Sequence, residues 1–245
     1  MLLSYEPDSC NDKRIFMNTI LITGANRGLG LELTKQFSAD NWRVFACCRN
    51  PTKAKELQSL KTANSNIQIY PLDVTDNANI QGLAESLNRE TIDILFNNAG
   101  IIGADEVTGN IQSEHLLEVL ETNTVAPVMV AQAFMQHLLN GNKKIIANMS
   151  SVMGSIEQTT ADDHFSYRIS KAALNEATRC MAMGLNAKQI TVVSFHPGWV
   201  QTDMGGSSAP INPAISITGI KKVLDHLSIK DTGQFISYDG KHLLW

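Results

Sequence analysis

Tyr167 and Lys171 stand four residues apart in the run Tyr167-Arg168-Ile169-Ser170-Lys171. On a helix that spacing places both side chains on one face. An ammonium held there favours the charged form of a phenol, so the pair is expected to lower the tyrosine pKa toward a value useful for proton transfer near neutral pH. Far upstream lies the glycine-rich turn Thr23-Gly24-Ala25-Asn26-Arg27-Gly28-Leu29-Gly30. Bare backbone at Gly24, Gly28 and Gly30 lets a pyrophosphate approach a helix N-terminus, whose free amides and dipole favour an anion. Asn26, Arg27 and Leu29 fill the turn and are read with it as cofactor contacts. The spacing G-x-x-x-G-x-G departs from G-x-G-x-x-G and would also suit a plain tight turn, but a strand precedes it and a helix follows.

The elements that must hold these residues alternate short apolar runs with longer helical stretches, the pattern of βαβ units on a parallel sheet. Seven strands are expected: Thr19 to Thr23, Arg43 to Cys48, Ile67 to Pro71, Ile92 to Asn97, Lys144 to Met149, Thr191 to Phe195 and Gln234 to Ser237. Most are apolar on successive residues, as strands covered on both faces are. The fold class is α/β, a Rossmann-type doubly wound seven-stranded parallel sheet with helices on both faces, in a single domain over residues 17–245. Ligands of such sheets bind at the carboxyl ends of the strands, where every motif named here falls. Residues 1–16 precede Met17 and the first strand and are expected to be a flexible extension. Gln201 to Ile215 shows no clear pattern, and Ser216 to Leu227 reads as a helix. Residues 201–228 are therefore expected to form a lid, with a mobile surface loop as the other reading of the segment.

Charge and composition narrow the partner. A net charge of -4 over 245 residues, with no run of five like charges, gives nucleic-acid binding no electrostatic support. Cys10, Cys47, Cys48 and Cys180 form no CxxC pair, and the six histidines are scattered without metal-ligand spacing. No zinc site is expected. The first sixteen residues hold no apolar stretch long enough for a signal peptide or membrane span, so a soluble, cytoplasmic protein acting on a small molecule is expected.

The second strand ends in Cys48-Arg49, where an acidic residue would grip the 2'-hydroxyl of an NAD ribose. Arg27 opposes the dipole of the helix it opens unless an anion sits beside it. Two arginines and a missing acid favour NADP(H) over NAD(H), although both could be solvated side chains. Asp73, followed by Val74, is placed to accept from an adenine amino group, or is a turn residue. Asn98-Ala99-Gly100 is small enough to lie against the adenosine, or is a plain strand exit.

At the other end Ser150 and Ser151 close the fifth strand ahead of Tyr167 and Lys171. In order and spacing the motifs from Thr23 to Thr202 resemble the short-chain dehydrogenase/reductase family. Cys48-Arg49-Asn50-Pro51, Asn123-Thr124-Val125-Ala126-Pro127 and Tyr238-Asp239-Gly240 are most similar to its C-factor and sniffer-like carbonyl reductase branch. The resemblance implies a catalytic tetrad of Asn123, Ser151, Tyr167 and Lys171. Tyr167 would exchange the proton with a carbonyl or alcohol oxygen. Ser151 would hydrogen-bond that oxygen, and Lys171 would hold the nicotinamide ribose. Pro197, Gly198, the Val200 backbone and Thr202 would hold the carboxamide.

Asn123 lies in a helical run from Ser113 to Leu139, and Pro127 has no amide to occupy its carbonyl. That could free the carbonyl for a proton relay, or merely bend a helix. Ser151 and Tyr167 are sixteen residues apart, wider than in many family members, and the extra residues, within Glu157 to Asp163, should border the substrate pocket. The resemblance also implies a homodimer or homotetramer. Val128, Met129, Phe134, Met135, Ala173, Leu174, Met181 and Met183 fit a subunit contact, and burial within one chain accounts for them almost as well. A dinucleotide-binding regulator is the alternative function. It has no need of a proton-donating phenol. An epimerase would need a larger C-terminal domain than the 43 residues after Thr202.

Overall fold

Runs of β-branched and aliphatic residues form seven strands in the computed structural model, which describes residues 17–245. They are β1 (Thr19–Thr23), β2 (Arg43–Cys48), β3 (Ile67–Pro71), β4 (Ile94–Asn97), β5 (Ile145–Met149), β6 (Thr191–His196) and β7 (Phe235–Ser237). The extension expected at residues 1–16 lies outside the described residues. Lys144 falls outside β5 because its φ of 55° is left-handed and cannot extend a strand. Ile92 and Asp93 lead into β4 rather than belonging to it. The buried Asp93 carboxylate accepts from Thr19 N at 2.7 Å and from Asn142 N and Lys143 N at 2.7 and 3.2 Å. It thereby ties three entering segments together.

Every neighbouring pair is parallel, in the order β3-β2-β1-β4-β5-β6-β7. The chain reverses its direction of growth between β1 and β4, which opens a crevice at their carboxyl ends. Among the described residues eight α-helices cover the sheet: α1 (Gly28–Ala39), α2 (Lys55–Ala63), α3 (Asn77–Ser86), α4 (Ser113–Leu120), α5 (Ala126–Ala133), α6 (Met135–Asn140), α7 (Phe165–Leu185) and α8 (Pro213–His226). Successive strand residues point to opposite faces. Ile20, Ile22, Val44 and Ala46 meet Leu33 and Phe37 of α1, Leu57 of α2 and Ile217, Ile220 and Leu224 of α8. Leu21, Phe45 and Cys47 meet Ile80 and Leu83 of α3, Val130 and Ala131 of α5 and Ala182 of α7. Both faces are therefore dry, as the unbroken apolar runs required.

Two helical expectations are corrected. The run from Ser113 to Leu139 is interrupted by a π turn at Glu121–Val125, where Ala126 N donates to Glu121 O, and again at Phe134. The last helix begins at Pro213 rather than Ser216. Asn212 Oδ1 accepts from Ile215 N at 2.9 Å, and proline is preorganised for the first helical position.

One row of the second face is polar. Asn97, Asn148 and Ser194 are register partners on β4, β5 and β6. Asn97 Nδ2 donates to Asn148 Oδ1 at 2.9 Å, Asn148 Nδ2 to Thr178 Oγ1 at 2.9 Å, and Thr178 Oγ1 lies 2.8 Å from Ser194 Oγ. Among the described residues no helix is long and apolar enough to cross a membrane.

Candidate active site

At the switch point the glycine turn is stitched to its neighbours by backbone and side-chain hydrogen bonds. Ala25 N donates to Cys47 O at 2.9 Å, and Asn98 Nδ2 donates to Thr23 O and Gly24 O at 3.0 and 3.2 Å. Asn98 N and Ala99 N both donate to Thr23 Oγ1 at 3.0 Å. A Cβ on Gly30 would sit 2.2 Å from Gly24 O, and one on Gly24, whose φ is +66°, would sit 2.9 Å from the Ala99 Cα. Side chains there are excluded, which keeps the backbone bare at the mouth of α1. Leu29 packs against the first core. Asn26 is exposed. Asn98 thus serves the turn itself, a role the sequence did not suggest.

The adenosine end shows the expected absence of an acid after β2: Cys48 is buried and Arg49 exposed. Asp73 behaves as a turn residue, its Oδ1 accepting from Thr75 N and Thr75 Oγ1 at 3.0 and 2.7 Å. Those bonds hold its carboxyl below the usual carboxylate range, with a smaller contribution from the Arg49 charge. Val74 beside it is half-buried against the second core. Arg27 caps α1 in an extended conformation and pairs with Asp203, Nη1 to Oδ2 2.7 Å, across the mouth of the crevice. The anion beside Arg27 in this structure is therefore a side chain.

At the catalytic end the tetrad converges on buried ground. Asn123, Ser151, Tyr167 and Lys171 are all less than 10% exposed. Asn123 lies in the π turn, a rare local conformation concentrated at functional sites. Its Oδ1 accepts from Ile101 N at 2.9 Å, and its Nδ2 donates to Ile101 O at 2.8 Å and Ser170 Oγ at 3.0 Å. It clamps the segment after Gly100 to α7, and Ser170 is its unforeseen partner, itself part of the Tyr-to-Lys run. A Cβ on Gly100 would lie 3.0 Å from Asn123 Oδ1 and 3.5 Å from Lys171 Nζ, so this exit is small because the site passes it closely.

Lys171 Nζ donates to Met149 O at 2.8 Å and lies 5.5 Å from the Tyr167 ring centroid. Burial drives the lysine pKa down to about 8. Burial also pushes Tyr167 up to about 12, partly opposed by a hydrogen bond from Ser151. The expectation that spacing alone makes the phenol acidic is corrected: the ammonium lies over the ring, and desolvation dominates. Ser151 Oγ accepts from Met153 N at 3.2 Å, leaving its proton to give. Ser150 is structural, donating to Asn175 Oδ1 at 2.7 Å. Val152 N donates to His196 Nδ1 at 3.1 Å, so the imidazole behind Ser151 is a neutral acceptor, its pKa pushed by burial to about 4.

The remaining predicted positions frame the crevice after β6. Pro197 O accepts from Ser216 Oγ of α8 at 2.6 Å, and Gly198 turns at φ +83°. Val200 is buried and bridged to Ile211, while Thr202 Oγ1 accepts from Gly205 N at 3.1 Å. Trp199 is exposed, its Nε1 donating to Gly205 O at 2.8 Å. Of the helix residues suited to a subunit contact, Phe134 and Leu174 are buried within the chain, and Met183 is exposed.

A doubly wound sheet with a bare glycine turn at its switch point and a buried serine, tyrosine and lysine after its fifth strand defines a dinucleotide-dependent type of dehydrogenase fold. The profile of the short chain dehydrogenase family matches residues 18–211, and the chain belongs to this family of oxidoreductases. Carbonyl reductase Sniffer of D. melanogaster is 39% identical, with a TM-score of 0.87 over 94% of this chain and 100% of that one. The NADPH-bound carbonyl reductase from chicken fatty liver is also 39% identical, with a TM-score of 0.87 over 94% and 99% of the two chains. The C-signal protein of Myxococcus xanthus is 36% identical over 154 residues, 63% of this chain and 93% of that protein.

Proposed function

We propose that this protein is an NADP(H)-dependent reductase of carbonyl compounds, with Tyr167 as its general acid and base. The observation that carries the reading is the meeting of Ser151, Tyr167 and Lys171, all buried, with the Asn123 clamp at the carboxyl ends of β4 and β5. The crevice fits a dinucleotide. The bare cradle at Gly24 and Gly30 would receive the pyrophosphate, and the chain offers Arg49 and no acid after β2 for a 2'-phosphate. Asp73, Val74 and Ala99 would border the adenosine, and Pro197, Gly198, Val200 and Thr202 the nicotinamide end. The NADPH carried by the chicken relative supports the same choice. When bound, the dinucleotide supplies or takes up the hydride.

The chain's own residues manage the proton. In reduction Tyr167 gives its hydroxyl proton to the substrate oxygen, and a phenol near 12 is fully protonated and ready to do so. Ser151, its oxygen already held by Met153 N, donates to the same oxygen and stabilises the charge that develops there. Lys171, still mostly charged at neutral pH with a pKa near 8, favours the phenolate left behind and is placed to hold the cofactor ribose. Asn123 holds the wall of the pocket. A purely regulatory dinucleotide binder needs none of this proton machinery. Leu117, Val125, Ile169 and Met183, exposed on α4, the π turn and α7, favour self-association through those elements.

The test is NADPH oxidation against a panel of aldehydes, ketones and quinones, with Tyr167→Phe alongside. Turnover is expected to vanish in the variant while NADPH still binds with wild-type affinity. Wild-type turnover by Tyr167→Phe would overturn the assignment.

A further inference from the structure

The helix that carries Tyr167 begins without a cap of its own. His164 occupies the cap position in a left-handed conformation, φ 48°, and its side chain makes no capping bond. The first turn of a helix leaves amides that need partners, and here the loop after β4 supplies one for Phe165 and an acceptor for the Ser166 hydroxyl. Glu106 O accepts from Phe165 N at 3.0 Å. Its carboxylate, 4% exposed, accepts from Ser166 Oγ at 2.5 Å, from Gln112 N at 3.1 Å and lies 3.1 Å from His115 Nδ1. These bonds hold the carboxyl below its ordinary range, so it is an anion at the positive end of a 21-residue helix. Ser166 is fully buried and adjoins Tyr167. Flanking bonds from His164 N to Asp105 Oδ1 at 3.3 Å and Thr108 N to Asp162 Oδ2 at 3.2 Å dock the widened 157–163 segment on the same loop.

We infer that Glu106 is a positioning residue for the proton transfer: through Ser166 and the Phe165 amide it fixes the first turn of α7, and with it the direction of the Tyr167 phenol. The inference rests on the proposed role of Tyr167. A reacting group displaced by about 1 Å costs on the order of a hundredfold in rate. Losing this buried anchor therefore acts on kcat, whereas the glycine turn that binds the dinucleotide lies on β1 and α1 and is untouched.

The experiment compares Glu106→Ala, Glu106→Gln, Ser166→Ala and Tyr167→Phe by kcat per folded molecule, counted from NADPH binding stoichiometry, with KM for NADPH and the pH profile of kcat. Glu106→Ala and Ser166→Ala are expected to lower kcat at least tenfold, with KM for NADPH within twofold and the pH profile displaced. Glu106→Gln keeps an oxygen acceptor for Ser166 and is expected to recover most of kcat. Should Glu106→Ala fail to fold, Ser166→Ala decides alone. A kcat within twofold of wild type in the folded variants, alongside a dead Tyr167→Phe, would overturn the inference and leave the site assignment standing. An active Tyr167→Phe would remove the assignment itself.

Discussion

Replacing Lys171 by methionine should stabilise the cofactor-free protein at neutral pH and lose that advantage in alkali. In the unfolded chain the ammonium titrates near its ordinary 10.5; in the folded protein burial lowers this to about 8. Between those values the unfolded chain holds a proton that the folded one has released, so wild-type stability rises with pH across the window and is flat outside it. At about 1.4 kcal/mol per pH unit, the cost of keeping the buried ammonium below pH 8 is about 3 kcal/mol. Methionine fills similar space without that cost, but strands Met149 O, now 2.8 Å from Nζ, at about 1–3 kcal/mol. The stranded carbonyl contributes equally at every pH. The difference between variant and wild type should thus shift by about 3 kcal/mol against the variant from pH 7 to above 10.5. Urea denaturation of both proteins at pH 7, 8, 9.5 and about 11 measures it, because other titrating groups cancel. A difference that stays constant with pH would refute the claim that burial of this ammonium governs its ionisation.

Other expectations follow from contacts at the crevice and in the sheet. Asp203→Asn frees Arg27 from a pair whose members are both mostly exposed, a release of only about 0.2–1 kcal/mol. NADPH should bind up to about fivefold tighter with NADH unchanged, and equal shifts in calorimetry with both cofactors would dissociate Arg27 from the phosphate. Arg49→Ala should weaken NADPH binding far more than NADH, and a uniform loss would remove its assigned contact. Asp93→Ala leaves the Thr19, Asn142 and Lys143 amides without their acceptor and should lower stability by about 3 kcal/mol or more in denaturant titration. An unchanged midpoint would mean that water replaces the carboxylate at no cost.

The strands were legible because parallel strands covered on both sides must be apolar at consecutive positions, and Ile20-Leu21-Ile22 can do little else in water. The pairing of Tyr167 with Lys171 was legible because the two are related by one helical turn, a local relation that spacing records; Asn123 and Ser151 were joined to them only through the family resemblance. What stayed hidden depends on distant neighbours. Arg27 and Asp203 meet across 176 positions. Burial pushes the Tyr167 phenol up to about 12, a contribution that its spacing from a lysine does not record. The π turn at Glu121–Val125 is followed by Pro127, which cannot bond the Asn123 carbonyl, so the sequence carried the irregularity but not its form. Glu106 sits in a loop with no motif, and only the folded chain shows that it supplies what His164 cannot. Pro213 was a missed signal of a different sort: asparagine followed by proline is a helix start that the sequence does carry.

The row Asn97, Asn148 and Ser194, closed by Thr178, bears on how the chain finds its fold. Elsewhere β4, β5 and β6 meet mostly through apolar side chains, and a shifted alignment of such strands would bury much of the same oil. Across this row a slip by one residue would turn an asparagine into the opposite, wholly apolar layer with its amide unmet. The polar row thus penalises near-native alignments that the apolar rows alone would tolerate. Ser150 and Ser151 follow Asn148 by two and three residues, so an error in alignment would be inherited directly by the chemistry.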